Sequence, residues 1–176
     1  MADQKNIVLI GMPGSGKSTV GRILAKALCM NFLDTDTLIQ HKENKPLQKI
    51  INIKGNEYFL RMEEDVLMSL PGEGTVIATG GSAVLLPVAM DHLRDTSDIV
   101  YLEADYGLIR KRLWNLKTRG IVLAPGKTLE DLYVGRKPHY EKYAGITVRV
   151  KRRTPDEIVS RILGLLGRKR CDLEDG

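Results

Sequence analysis

The sequence predicts an α/β fold in which a parallel sheet is covered by helices on both faces. Three observations carry that reading. Short apolar runs alternate with longer helical patterns along the whole chain. The first run, Ile7-Val8-Leu9-Ile10, enters a glycine-rich loop and then a helical pattern. No internal repeat, low-complexity block or Pro/Gly-rich linker interrupts the alternation, and 176 residues suffice for one domain with a real core.

Taken in order, the first strand covers 6–10 and feeds Gly11-Met12-Pro13-Gly14-Ser15-Gly16-Lys17-Ser18-Thr19. A helix over 17–29 follows, with Val20, Ile23, Leu24, Ala27 and Leu28 as its apolar positions. The second strand, 31–34, ends in Asp34-Thr35-Asp36, and helices are expected over 36–43, 46–54 and 57–70. The third strand, 75–79, runs into Gly80-Gly81-Ser82, followed by a helix over 86–94. The fourth strand, 98–102, leads to a basic helix over 105–116 and to a loop, Gly120 to Gly126, bounded by turn formers. A helix over 128–143 precedes the fifth strand, 146–150. The last helix, 155–166, has Thr154 as N-cap, Pro155 at the first helical position and acidic residues in its first turn.

Ligands of such sheets sit beyond the C-terminal strand ends, where four loops carry chemistry. The first is a phosphate-binding P-loop, G-x-x-x-x-G-K-[ST], in its strand–loop–helix context. Backbone N–H groups of Gly14, Ser15, Gly16 and Thr19 and the helix N-terminus suit an anion. Lys17 can reach the terminal phosphates and Ser18 can ligate Mg²⁺. After the second strand, Asp34 suits Mg²⁺ held through water, and Asp36 suits orienting or deprotonating an acceptor hydroxyl. One of the two aspartates is expected to cap the next helix, with Asp36 taking part of that role. Gly80 and Gly81 permit close approach of backbone to ligand. Arg119 is read as the phosphate-contacting arginine of a basic lid, and Trp114 as packing. Arg136 suits bidentate capture of a carboxylate; His139 is assigned no role.

Composition narrows the function classes. The formal net charge of +5 suits anionic ligands, but the basic runs 149–153 and 168–170 lack the interleaved aromatics of a single-strand binder. No apolar run is long enough for a membrane span, and too few residues precede the first strand for a signal peptide. Cys29 and Cys171 form no spaced metal or disulfide set. Cys29 is read as a buried thiol and Cys171 as part of a polar tail, in a reducing, cytoplasmic setting.

Together the P-loop, Asp34-Thr35-Asp36, Gly80-Gly81, Arg119 and Arg136-x-Pro138-x-Tyr140 resemble shikimate kinases over about residues 5–166. The resemblance implies a P-loop NTPase fold, with strand order 2-3-1-4-5, a substrate-binding region over about 35–70 and a lid over about 112–126. One kinase domain would span 1–168, with a disordered tail over 169–176. It also implies a monomeric enzyme using ATP and Mg²⁺ to phosphorylate the 3-hydroxyl of shikimate, a small-molecule acceptor, with no nucleic acid or membrane partner. Lys17, Asp36 and Arg119 would be catalytic, with Ser18 and Asp34 at the metal. Asp36, Gly80, Gly81 and Arg136 would bind the acceptor, while Arg110 and Arg153 would flank the adenine.

Three positions depart from the family pattern. Where Gly-Glu-x-x-Phe-Arg-x-x-Glu is usual, this chain reads Gly55-Asn56-Glu57-Tyr58-Phe59-Leu60-Arg61-Met62-Glu63. Leu60 thus stands at the carboxylate-binding arginine, a loss of about 1.5–3 kcal/mol, or roughly ten- to hundredfold in affinity. Arg61 points about 100° away on the helix and reads as a surface ion-pair residue. Ser82 replaces a third glycine, and Gly120 replaces a lid proline. These changes fall in the acceptor half. They keep open a different hydroxy-acid or polyol acceptor, or a nucleotide-binding protein without transfer activity.

Overall fold

Five parallel strands form one sheet in the order β2-β3-β1-β4-β5 in the computed structural model, which describes residues 4–114 and 121–171. The strands are β1 (Asn6–Ile10), β2 (Asn31–Asp34), β3 (Thr75–Ala78), β4 (Ser97–Glu103) and β5 (Ile146–Arg149). β1 is central, pairing Ile7 with Val76 on one side and Val8 with Ile99 on the other. All five of its residues are buried, as expected of a parallel strand covered on both faces. Among the described residues seven α-helices surround the sheet: α1 (Lys17–Leu28), α2 (Thr35–Glu43), α3 (Leu47–Met68), α4 (Pro87–Thr96), α5 (Tyr106–Arg112), α6 (Leu129–Tyr143) and α7 (Pro155–Leu166). A single 3₁₀ turn, Ala83–Leu85, follows β3.

The expected elements are present with ends moved by one to four residues. The two helices expected over 46–54 and 57–70 run as α3, broken at Gly55. Gly55 has φ 84° and ψ 167°, a backbone state open to glycine and strained for other residues. Beyond the kink, Phe59 and Glu63 are buried. Thr154 caps α7 through a reciprocal bond with Glu157, and Thr128 caps α6 the same way with Asp131. Arg61 pairs with Glu57 on the surface, as read. Trp114 does not pack: it is 83% exposed. Among the described residues no helix is long and apolar enough to cross a membrane.

The cysteine reading is corrected. Cys29 and Cys171 form a disulfide, with Cα atoms 6.0 Å apart. α1 ends at Leu28, so Cys29 lies beyond its apolar face, exposed and in the left-handed C-cap conformation (φ 53°). The chain after α7 returns along α1 and is tied there before the sulfurs meet. Cys171 N donates to Ala27 O at 2.9 Å, and Arg168 donates to Asp98 Oδ2 at 2.7 Å and to Lys5 O at 3.0 Å. Residues 169–171 are therefore held rather than a free tail; 172–176 lie outside the described residues.

The bridge closes a loop of sequence separation 142. In the chain-entropy account such a bridge stabilises by up to about 5 kcal/mol. Reduction, or C171S, is expected to lower Tm by on the order of 10 °C in thermal unfolding. An unchanged Tm on reduction would show the two cysteines unpaired in solution.

Candidate functional site

A cleft of about 620 Å³ opens at the C-terminal ends of β1 and β3. Its nucleotide end is the loop between β1 and α1. Gly16 caps α1 with φ 102°, no side chain caps the helix, and its first turn holds no acidic residue. The first N–H groups of α1 therefore face the cleft as anion donors. Ser15 Oγ lies in the same curl, buried and without a hydrogen-bond partner. A phosphate oxygen would supply what that hydroxyl lacks.

Lys17 is buried, and its Nζ donates to Gly11 O at 2.8 Å and to Met12 O at 2.9 Å. Burial pulls its pKa down to about 8, against the opposing pull of Asp36 and Asp34. A phosphate arriving at the loop would favour the charged form that burial disfavours.

Asp34 and Asp36 exchange the capping role read from the sequence. Asp34 caps α2, accepting from Asp36 N at 3.1 Å and Thr37 N at 3.2 Å through Oδ1. Its Oδ2 accepts from Ser18 Oγ at 2.5 Å. The chain bends at Asp34 from strand to helix, so its side chain, rather than that of Asp36, points back at the open N–H groups. Asp36 sits in the first turn of α2 and lines the cleft. Burial, with Asp34 close by, raises its pKa to about 6.

The acceptor end gathers Asp36, Phe59, Gly81, Ser82, Ile121, Val122 and Arg136. Arg136 is buried, and its Nη2 donates to Val122 O at 2.7 Å, tying α6 to the trailing part of the segment expected to form the lid. Tyr140, one turn on, stacks on Tyr101 and donates to Gly81 O at 2.6 Å. Gly80 N donates to Thr35 Oγ1 at 3.0 Å. A Cβ on Gly80 would collide with Glu63 Oε1 and Asp36 Oδ1, which is why a glycine stands there.

Of the residues read from the sequence, Gly14, Ser15, Gly16, Lys17, Ser18, Thr19, Asp36, Gly81, Arg136 and Arg153 line this one cleft. Asp34 stands behind Ser18, and Gly80 behind the cleft wall. Arg119 lies outside the described residues. Two placements differ from expectation. Arg110 is exposed and does not line the cleft, whereas Arg112 does, its Nη1 donating to Gly14 O at 2.8 Å. Two helical steps rotate a side chain by about 200°, so the two arginines of α5 leave on opposing faces. Leu60 is partly buried against the main core and does not line the cleft. Sequence reasoning also assigned no role to Glu63 or Ser82; their proximity follows from the fold, since 19 positions separate them.

Known proteins share this architecture. The family model for shikimate kinase matches residues 13–166. A shikimate kinase of Sulfurihydrogenibium sp. is 36% identical over 94% of this chain and 99% of its own. One from Vibrio cholerae is 35% identical over 94% and 97%. The structure of shikimate kinase from Acinetobacter baumannii in complex with shikimate superposes with a TM-score of 0.86, at 31% identity over 93% of each chain. That from Aquifex aeolicus has a TM-score of 0.81, also at 31% identity, over 92% and 96%.

The two arginines of α5 can be told apart. R112A is expected to raise the KM for the nucleotide roughly tenfold by steady-state kinetics, and R110A to change it less than about twofold. Equal effects would show that Arg112 has no privileged place at the loop.

Proposed function

The chain belongs to the shikimate kinase family, an ATP-dependent small-molecule kinase by that membership, and on this footing we propose that its acceptor is the 3-hydroxyl of shikimate. The observation that carries the reading is the convergence of Lys17, Asp36 and Arg136 from three helices on one cleft. The cited complex of the Acinetobacter baumannii enzyme with shikimate supports the choice of acceptor.

The residues divide the work as follows. The curl over 14–19 and Lys17 hold the terminal phosphates of ATP and spread the charge that develops on the transferring group. Asp36, ionised above its pKa of about 6, accepts the hydrogen of the acceptor hydroxyl and aims the oxygen along the line of transfer. The new bond joins that oxygen to the γ-phosphorus, the bond from the γ-phosphorus to the β-bridging oxygen breaks, and ADP leaves. Arg136 holds the acceptor carboxylate. Arg112 and Arg153 edge the nucleotide end, and Arg119 serves from the lid. Ser18 and Asp34 place a hydroxyl and a carboxylate oxygen side by side at the phosphate cradle, a donor set that fits Mg²⁺ with its remaining positions filled by water and phosphate. Bound there, Mg²⁺ would neutralise phosphate charge.

One observation favours a second acceptor class. With Leu60 turned to the core, Arg136 is the only buried arginine among the described residues. A small hydroxy-acid or polyol that needs a single cation fits that arrangement. ADP-release assays across shikimate, gluconate and homoserine separate the readings. The expected result is turnover with shikimate above the ATPase background and phosphorylated product by ³¹P NMR. No turnover at millimolar shikimate rejects this acceptor. K17A is expected to reduce product formation by at least about a hundredfold, and R136A to raise the shikimate KM roughly ten- to hundredfold.

A further inference from the structure

Glu63 is the one acidic side chain buried among the described residues. It lies on α3 against Ser82, which lines the cleft, and its surroundings are unusual for a carboxylate. The residues three and four positions away on its own helix are Phe59, Leu60, Val66 and Leu67, all apolar. Its Oε2 accepts from the Ser82 hydroxyl at 2.5 Å, a neutral donor. Its Oε1 is buried and has no partner. Among the described residues no cation hydrogen-bonds to it, although Arg136 from α6 and Lys17 from α1 are close enough to feel its charge.

An ionised carboxylate with one unpaired oxygen in such a place is expensive, and taking up a proton is the cheaper state. The geometry favours that proton. Glu63 Oε1 and Asp36 Oδ1 both lie within 2.8 Å of the place a Cβ would take on Gly80, so two carboxylates border one small space and the charge of Asp36 disfavours ionisation of Glu63. Two departures from the family sequence also meet here: Leu60 removes a cation from the helix position three before Glu63, and Ser82 adds a hydroxyl opposite it.

We infer that Glu63 is a positioning residue of the acceptor half, buried as a neutral carboxyl group between Ser82 and Gly80, so that Arg136 keeps its charge for the single anionic group of the acceptor. This deepens the shikimate-kinase reading and rests on it for its kinetic test. When Glu63 ionises, its charge competes with the acceptor's anion for Arg136, and anionic acceptors bind less well. Burial pushes the Glu63 pKa up to about 7, partly offset by the Ser82 bond, so the change falls in an accessible range. The charged groups facing Glu63 are Asp36 from α2, Arg136 from α6 and Lys17 from α1. The turn after β3 contributes Ser82 and Ala83, and the buried face of α4 is Ala89, Met90 and Leu93, so neither adds a charge.

The kinetic test is the KM for shikimate between pH 6 and 8.5 in wild type, E63Q and S82A. Wild type is expected to show a rise of roughly tenfold across that range. E63Q should lose that rise. S82A removes the bond that favours the ionised form, so its rise should move up by about one pH unit. The second test needs no turnover. A carboxyl group whose folded pKa is raised contributes stability that is fully present below its unfolded pKa and lost as pH rises through the folded value. The Tm of E63Q minus that of wild type should therefore grow by about 5 °C between pH 5 and pH 8. A Tm difference that stays constant over that range, or an E63Q KM that climbs with pH as in wild type, overturns the inference. Should E63Q fail to fold, an S82A profile superimposable on wild type overturns it instead. Absence of shikimate turnover in all three proteins would reject the acceptor assignment, and the Tm comparison would still decide the state of Glu63.

Discussion

Three charged side chains are buried among the described residues, Lys17, Glu63 and Arg136, and all three meet at the C-terminal end of the sheet. Much of the local architecture follows from keeping them satisfied away from water. Lys17 rests on the carbonyls of Gly11 and Met12, Arg136 on the carbonyl of Val122, and Glu63 on the hydroxyl of Ser82. Each bond joins separate segments: strand end to helix, α6 to the lid's trailing side, α3 to the turn after β3. The charges proposed to serve the chemistry are thus also the ties that hold the cleft in shape. The same desolvation that makes them costly strengthens their action on a bound anion.

The cleft also shows where satisfaction is left incomplete. Two buried side-chain oxygens have no partner among the described residues, Ser15 Oγ in the phosphate curl and Glu63 Oε1 behind the acceptor wall. The two invite different solutions. A hydroxyl can turn toward an arriving phosphate oxygen, whereas a buried carboxyl oxygen beside Gly80 is satisfied at least cost by a proton.

Asp34 illustrates how a backbone need and a chemical need share one side chain. One carboxylate oxygen closes the open N–H groups of α2 while the other meets Ser18. That division leaves Asp36 free of the capping duty and facing the cleft. Both aspartates were legible as important from their place after a strand. Which one would cap was not, because the choice depends on where the chain turns from extended to helical.

From the sequence alone came the alternation of strands and helices, the P-loop and its context, and most of the residues that line the cleft. These are local properties: an apolar period, a glycine-lysine spacing, a capping box, each set by neighbours in the chain. The tertiary structure alone decided the rest. It brought Cys171 to Cys29 across 142 positions, sent Arg112 rather than Arg110 to the loop, turned Leu60 into the core, and set Ser82 against Glu63. The physical reason is common to all four. A pairing across distant segments, or the outward or inward choice of one helical step, is fixed by the packing of whole elements, and no local pattern encodes it.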